Sequence, residues 1–336
     1  MGKKIGNRTL EFEQNIYVSS YANIVGKFEG EGPLSKYFDI IENDEYYGEK
    51  TYEKAEMKLQ KNALNLALQK NLMQVSSLDF ICSGDLLNQC ISSSYSVRDN
   101  DVPYIGLFGA CSTMALSVIV SALTIEAGYS KNAAGVTSSH FCTAERQFRQ
   151  PLEYGGQKPP SAQRTVTAGA AVIVSKNKSK IKLSKFTLGS VIDFLISDAN
   201  NLGAAMAPAA AETLYSFFDD TQTSPNDYDL ILTGDLGYVG KSILIDLMKE
   251  KGYDITNNYN DCGCMIFDKN LQDTHAGGSG CGCSGAVLTG YVLPKISHGL
   301  LRNVLFMSTG ALMSPTATMQ GESIPGIAHL INFEGV

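Results

Sequence analysis

The chain repeats itself, and the repeat limits what it can fold into. The apolar run from Asp79 to Leu87 (DFICSGDLL) returns 150 residues later as DLILTGDLG, Asp229 to Gly237. Each run is followed by a small-residue turn with a Cys-Ser pair that opens into an apolar stretch: GACSTMALSVIV from Gly109 and GCGCSGAVLTGYV from Gly280. Placing Cys111 on Cys283 offsets the halves by 172 residues, and a third matched element follows at about that offset, AAGVTSSH ending at His140 and VLFMSTGAL ending at Leu312. Three matched elements in one order predict two like halves, residues 1–195 and 196–336, packed about a pseudo-twofold axis. Each half runs strand, acidic turn, helix, strand, Cys turn, helix, strand, so equivalent loops meet near the axis. Short, fully apolar strands alternating with helices predict an α/β fold with a mostly parallel sheet covered on both faces.

Composition narrows the function. With 336 residues, 44% of them hydrophobic, the chain can bury two medium cores. A net charge of -7 and a sequence pI of about 5.2 argue against nucleic acid, because a phosphate-binding face needs clustered Lys and Arg. The densest basic stretch, Lys176 to Lys185, reads as a solvated loop and strand edge. No run approaches the roughly 20 apolar residues that span a bilayer, and MGKKIGNRTLEFEQ has no apolar core of a signal peptide. The expectation is a chain made in the cytoplasm that reaches a membrane only through partners. Eight cysteines in that setting do not read as a disulfide set. Cys262, Cys264, Cys281 and Cys283 form C-x-C twice, tighter than zinc knuckles. No metal or cofactor is expected.

Along the chain, the pattern predicts a strand over 15–20, a helix over 51–73 carrying Ala55, Leu59, Ala63 and Leu66 at helical spacing, strands over 79–82 and 104–108, and a helix from Cys111. Residues 140–165 hold Pro151, Gly155, Gly156, Pro159 and Pro160 and read as a long structured loop carrying Arg146, Arg149, Lys158 and Arg164. Strands over 166–175 and 180–192 should close the first half. A helix in AAMAPAAAETLYSFFDD opens the second, which ends in a strand near 327–333.

A duplicated chain with Cys at the start of a buried helix resembles the thiolase and beta-ketoacyl synthase superfamily. GACSTMAL is similar to its nucleophile turn, and TAGAAVIVS from Thr167 to the strand that closes its first half. The resemblance implies a five-layer α-β-α-β-α fold and a homodimer joined through the strand at 104–108. FEGEGPLSKYFD, GDLLNQCISSSY, GLFGACST, FRQPLEYGGQKPP, NLGAAMAPAA, GDLGYVG, AGGSGC and TGALMSP together resemble, more narrowly, the stage V sporulation AD family of endospore-forming bacteria. That likeness implies sporulation, binding of dipicolinic acid (with or without calcium), its uptake into the forespore with membrane proteins of the same sporulation locus, and a place at the spore inner membrane through those partners.

The chemistry of a condensing enzyme is altered. A helix N-terminus stabilises a thiolate at Cys111, but acyl transfer also needs His with Asn, or two His, to move protons and hold the oxyanion. By the resemblance, Asp235 in GDLGYVG stands where synthases carry His, and Cys281 or Cys283 stands at the other position. A carboxylate at Asp235, with Asp85 near the axis, should raise the Cys111 pKa. Of the four histidines only His140 is expected near Cys111. The reading is therefore ligand binding without catalysis, with Asp85, Cys111, His140, Arg146, Arg149, Lys158, Asp235, Cys281 and Cys283 around the ligand. The helix starts at Cys111 and Cys283 and the basic residues would take its carboxylates. The alternative is an acyl-CoA condensing or acyl-transfer enzyme in which Cys111 is acylated and His140 does the proton work.

Overall fold

The computed structural model describes residues 2–148 and 158–336. Ten strands of its main sheet form two groups of five with the same order and directions. The first group is β1 (Thr9–Gly26), β2 (Phe80–Gly84), β3 (Tyr104–Gly106), β4 (Asn132–Ser139) and β5 (Ala168–Ser175), arranged β3-β2-β4-β5-β1. The second is β6 (Ile181–Leu188), β7 (Leu230–Thr233), β8 (Tyr259–Asp261), β9 (Asn303–Ala311) and β10 (Gly326–Gly335), arranged β8-β7-β9-β10-β6. In each group four strands run the same way and one, β5 in the first and β10 in the second, runs against them. Antiparallel pairing of β1 with β6 joins the groups edge to edge.

Helices α1 (Tyr52–Lys70), α2 (Ile91–Val97), α3 (Thr113–Glu126), α4 (Phe141–Phe148), α5 (Leu202–Thr221), α6 (Gly237–Glu250) and α7 (Cys281–Val287) complete the layers. The helices α3 and α7 touch each other between the sheets, α1 covers the outer face of the first sheet, and α5, packed with α6, covers that of the second. Sequence dictates which helix goes where. Helix α1 has a buried stripe of Ala55, Leu59, Ala63 and Ala67, and Thr51 caps it by accepting from the Lys54 N–H at 3.3 Å. Helix α3 is buried nearly all round, from Met114 and Ala115 through Val118 and Ile119 to Ile125, as a helix held between two sheets must be.

Two expectations are revised. The stretch at 140–165 is not loop throughout: its prolines and glycines begin at Pro151, leaving FCTAERQF free to form α4. Thr167 Oγ1 accepts the Phe141 N–H and His140 Nδ1 the Cys142 N–H, so the first turn of α4 is capped. The strand at 181–188, which by its apolar run groups with the first half, pairs with β10 and occupies in the second group the place that β1 holds in the first. The two halves meet closely at the Cys111 turn. A Cβ on Gly310 of β9 would lie 2.4 Å from the Gly109 carbonyl oxygen, so only glycine lets this strand touch the turn.

Candidate functional site

A cavity of about 380 Å³ opens where the two halves meet, with Cys111 and Ser279 at its base. Leu86, Phe108, Phe148, Leu202 and Met313 give it apolar walls, and Glu145, Lys158, Gln163, Thr165 and Asn200 give it polar ones. Cys111 follows Ala110, whose φ of 49° is left-handed, a conformation costing a non-glycine residue about 1 to 2 kcal/mol. The turn is held by Ser112 Oγ donating to the Gly109 carbonyl at 2.6 Å and Thr113 Oγ1 to the Ala110 carbonyl at 2.6 Å. The Ala115 N–H reaches across to Ser308 Oγ of β9 at 3.2 Å, fixing α3 to the second half.

Asp235, buried at the end of β7, organises the base of the cavity. Its Oδ2 accepts from Ser279 Oγ at 3.0 Å and the Gly280 N–H at 2.8 Å, and its Oδ1 accepts from Thr309 Oγ1 at 2.8 Å. Ser279 has one proton and gives it to Asp235, so Cys111 Sγ, 3.9 Å from Ser279 Oγ, is the donor in that contact. Burial and the Asp235 charge push the Cys111 thiol well above its usual range. The cysteine is a thiol at neutral pH, hydrogen-bonded toward a carboxylate.

A buried acid pair, Asp85 and Glu56, lies behind this wall. Asp85 accepts from the Leu87 N–H and from both the N–H and Oγ of Ser93, at 2.8, 2.8 and 2.6 Å. Glu56 of α1 lies between Ser138 Oγ at 3.1 Å and Thr143 Oγ1 at 2.6 Å. Thr143 also faces the His140 carbonyl at 2.9 Å, and it has a single proton. A protonated Glu56 donates to Thr143, and Thr143 then donates to His140, so every group is satisfied. Burial, and the nearby Asp85, push Glu56 up to about 8, in keeping with that arrangement. Asp85 is also pushed up by burial, but its three donors favour leaving the charge there and the proton on Glu56. Through Thr143, Glu56 anchors α4, which carries Ala144, Glu145 and Phe148 into the cavity wall.

The residues singled out from the sequence divide. Cys111 and Lys158 line the cavity, and Asp235 acts on Cys111 through Ser279. Cys281, which begins α7, donates its thiol to the Ser138 carbonyl at 3.0 Å and clusters with Cys111 and Leu86. Cys283, expected to start the second helix, instead points into the main apolar core. His140, expected beside Cys111, lines a small neighbouring cavity with Glu29 and Arg164. Its Nδ1 accepts the Cys142 N–H at 3.1 Å, so Nε2 carries the hydrogen and donates to the Glu45 carbonyl at 2.9 Å. Burial lowers its pKa, and the ring is a neutral strut. Arg146 pairs with Glu53 on α1 rather than lining the cavity. Arg149 lies outside the described residues. Lys158 Nζ contacts Glu145 Oε1 at 2.7 Å.

Sequence reasoning missed Ser279, Thr309, Glu56 and Gln163. Gln163 Nε2 donates to the Asp235 and Gly278 carbonyls at 2.7 and 2.8 Å, which orients the amide, and its buried Oε1 has no hydrogen-bond partner among the described residues. Ser279 and Thr309 stood in quoted motifs, AGGSGC and MSTGAL, but nothing in a Ser or Thr marks it as the donor to a distant Asp.

Known proteins share this frame. Residues 6–334 match the model of the family described as Stage V sporulation protein AD (SpoVAD). The chain is 43% identical to Stage V sporulation protein AD of Bacillus subtilis (strain 168) over 332 residues, covering 99% of this chain and 98% of that protein. Among solved structures it resembles a point variant of OleA from Xanthomonas campestris, with a TM-score of 0.63 at 12% identity over 96% of this chain and 97% of that one. It likewise resembles 3-oxoacyl-[acyl-carrier-protein] synthase III of Aquifex aeolicus VF5, with a TM-score of 0.57 at 12% identity over 95% and 99%. Acat5 thiolase of Ascaris suum gives 0.58 at 11% over 96% and 100%. The thiolase-like five-layer architecture is thus shared, at identities that speak to fold alone.

Two outcomes follow from the acids. Replacing Asp235 with Asn removes the charge beside Cys111, and alkylation of Cys111 by iodoacetamide at pH 8 should accelerate about tenfold or more, one pKa unit being tenfold in thiolate. Peptide mapping against time checks this; an unchanged or slower rate would show that the carboxylate does not hold the thiol protonated. For Glu56, the unfolded chain releases the proton near 4.5 and the folded chain near 8. Between those values the folded state holds the extra proton, so this group makes stability fall as pH rises. Glu56→Gln mimics the protonated acid, and its urea midpoint should drop less than wild type between pH 5 and pH 8. Equal drops would mean that Glu56 is already ionised in the fold.

Proposed function

This chain belongs to the stage V sporulation protein AD family, and on that footing we propose that it binds dipicolinic acid (pyridine-2,6-dicarboxylate) in the Cys111 cavity without catalysing acyl transfer. In this reading it takes part in uptake of the acid into the forespore together with membrane proteins of the same sporulation locus. The observation that carries the reading is the Cys111–Ser279–Asp235 chain of hydrogen bonds. It keeps the thiol protonated where acyl transfer needs a thiolate, and it stands beside a ready-made cavity of about 380 Å³, within the roughly 300 to 1,000 Å³ of small-molecule sites. The flat ring would lie against Leu86, Phe108, Phe148 and Met313, with one carboxylate at Lys158 and the other toward Thr165 and Asn200.

Acyl transfer by Cys111 is the second reading, favoured by the left-handed turn at Ala110 and the helix that starts behind the thiol. Among the described residues it lacks a histidine base, because both His140 ring nitrogens are engaged away from Cys111. Among the described residues, too, no helix is long and apolar enough to cross a membrane, so the proposal assigns membrane contact, at the spore inner membrane, to partner proteins. A homodimer is part of the proposal. Strand β3 ends its sheet among the described residues, and Ile91, Tyr95 and Phe108 around it are 38, 47 and 52% exposed, an edge that a second copy would cover. Sedimentation as a stable monomer at micromolar concentration would remove that part.

Calorimetric titration tests the ligand. Dipicolinate should bind, picolinate should bind more weakly, and acetyl-CoA should give no heat. Lys158→Gln should weaken dipicolinate about 10- to 100-fold, the worth of one or two charge-assisted bonds. Cys111→Trp should remove the tight site, and Cys111→Ser should leave it within a few-fold. His140→Ala should have little effect on affinity. Equal binding of picolinate and dipicolinate, or tight binding by Cys111→Trp, would place the site elsewhere.

A further inference from the structure

A second cavity, of about 390 Å³, is lined by Phe141, Lys158, Arg164, Asp273, Thr274 and His275. It shares Lys158 with the Cys111 cavity. Its wall is built around Arg164, whose backbone N–H is fixed to the Gly277 carbonyl at 2.9 Å. The guanidinium carbon lies 3.7 Å from the centroid of the Phe141 ring and 4.2 Å from that of Phe28. Two aromatic rings make an arginine rigid, and they hold its charge without using its N–H groups. Its Nε is buried and, among the described residues, has no hydrogen-bond partner. Glu29 is near enough to feel the charge, but burial pushes its carboxyl up to about 7 and its Oε1 accepts the Thr167 N–H at 3.0 Å.

The other cation of this cavity is set over the same ring. Lys158 Nζ stands 4.9 Å from the Phe141 centroid while it contacts Glu145. Thr274 adds a hydroxyl to the lining and His275 an imidazole. His275 sits at φ 51°, and its turn is tied down by the Gly277 N–H to the Thr274 carbonyl at 3.0 Å and the Ala276 N–H to the Ala162 carbonyl at 2.9 Å. The acid at the rim is Asp273, 89% exposed and 3.5 Å from His275 Nε2. An arginine lying over two rings at the cavity lining, a lysine, a hydroxyl and an imidazole make a set of donors suited to an oxyanion.

We propose that this second cavity is an outer oxyanion site, taking the carboxylate of a small molecule that then passes to the Cys111 cavity along Lys158. The passage rests on the dicarboxylate reading given above; the oxyanion site does not. Lys158 is the shared element: an acid held by Arg164 in the outer cavity already faces the cation that would take it in the inner one.

The test is titration of the full chain with dipicolinate and, separately, with inorganic phosphate. Cys111→Trp, with the inner cavity filled, should keep one weaker dipicolinate site, and adding Arg164→Gln should weaken that site about tenfold or more, the loss of one charge-assisted contact. Arg164→Lys, which keeps the charge but not the planar fork, should fall between. If Cys111→Trp binds neither probe while wild type binds dipicolinate, the outer site is refuted and the inner reading stands. If dipicolinate binds in an Arg164-dependent way and its binding is wholly indifferent to Cys111→Trp, the outer site stands and the inner reading falls. Should Arg164→Gln fail to fold, the wild-type His275 ring resonances give the answer: both probes should shift them, and resonances unmoved at saturating dipicolinate and phosphate would overturn the proposal.

Discussion

The buried carboxylate of Asp235 holds the site together. It accepts from Ser279 and Gly280 at the start of α7 and from Thr309 of β9, so one side chain ties three elements of the second half together at the surface where they meet the first. Burial raises the Asp235 pKa, and against that the three donors favour the charged form, which makes it the negative pole of the site. Ser279 turns that pole toward Cys111. The thiol of a helix-start cysteine, which the helix would otherwise help to ionise, is held in its neutral form.

The first half has its own acid at the matching place, just beyond the end of β2, but with another outcome. Asp85 draws its donors from Leu87 and Ser93 within its own half, while Glu56, which has no counterpart among the matched motifs, takes the proton. The duplicated frame therefore carries two unlike acid sites. The Asp235 site faces the cavity and sets the state of the thiol. The Asp85 and Glu56 pair lies behind the wall and, through Thr143, sets where α4 stands.

Much of the frame was legible in the sequence because burial on both faces of a sheet leaves a run of apolar residues that nothing else explains. DFICSGDLL and DLILTGDLG became β2 and β7 with their acids at equivalent ends. The part of the site legible in advance was the part carried by chemistry within a motif: Cys111 in its turn and Asp235 in GDLGYVG. What escaped was set by contacts far apart in sequence. His140 follows β4 directly, yet its side chain turns to the Glu45 carbonyl. Arg146 lies on α4, and helical spacing faces it toward Glu53 rather than into the cavity. Cys283 matches Cys111 in the written repeat, but α7 starts two residues earlier, which sends Cys283 into the core and puts Cys281 next to Cys111. A repeat fixes which elements correspond; it does not fix helix phase to the residue.

Intact-protein mass spectrometry after incubation with acetyl-, malonyl- and longer acyl-CoAs asks whether Cys111 behaves as a nucleophile at all. A thiol held protonated, with no histidine base reaching it among the described residues, should leave the mass unchanged at neutral pH. A stoichiometric thioester on Cys111 that forms and turns over would contradict that assignment.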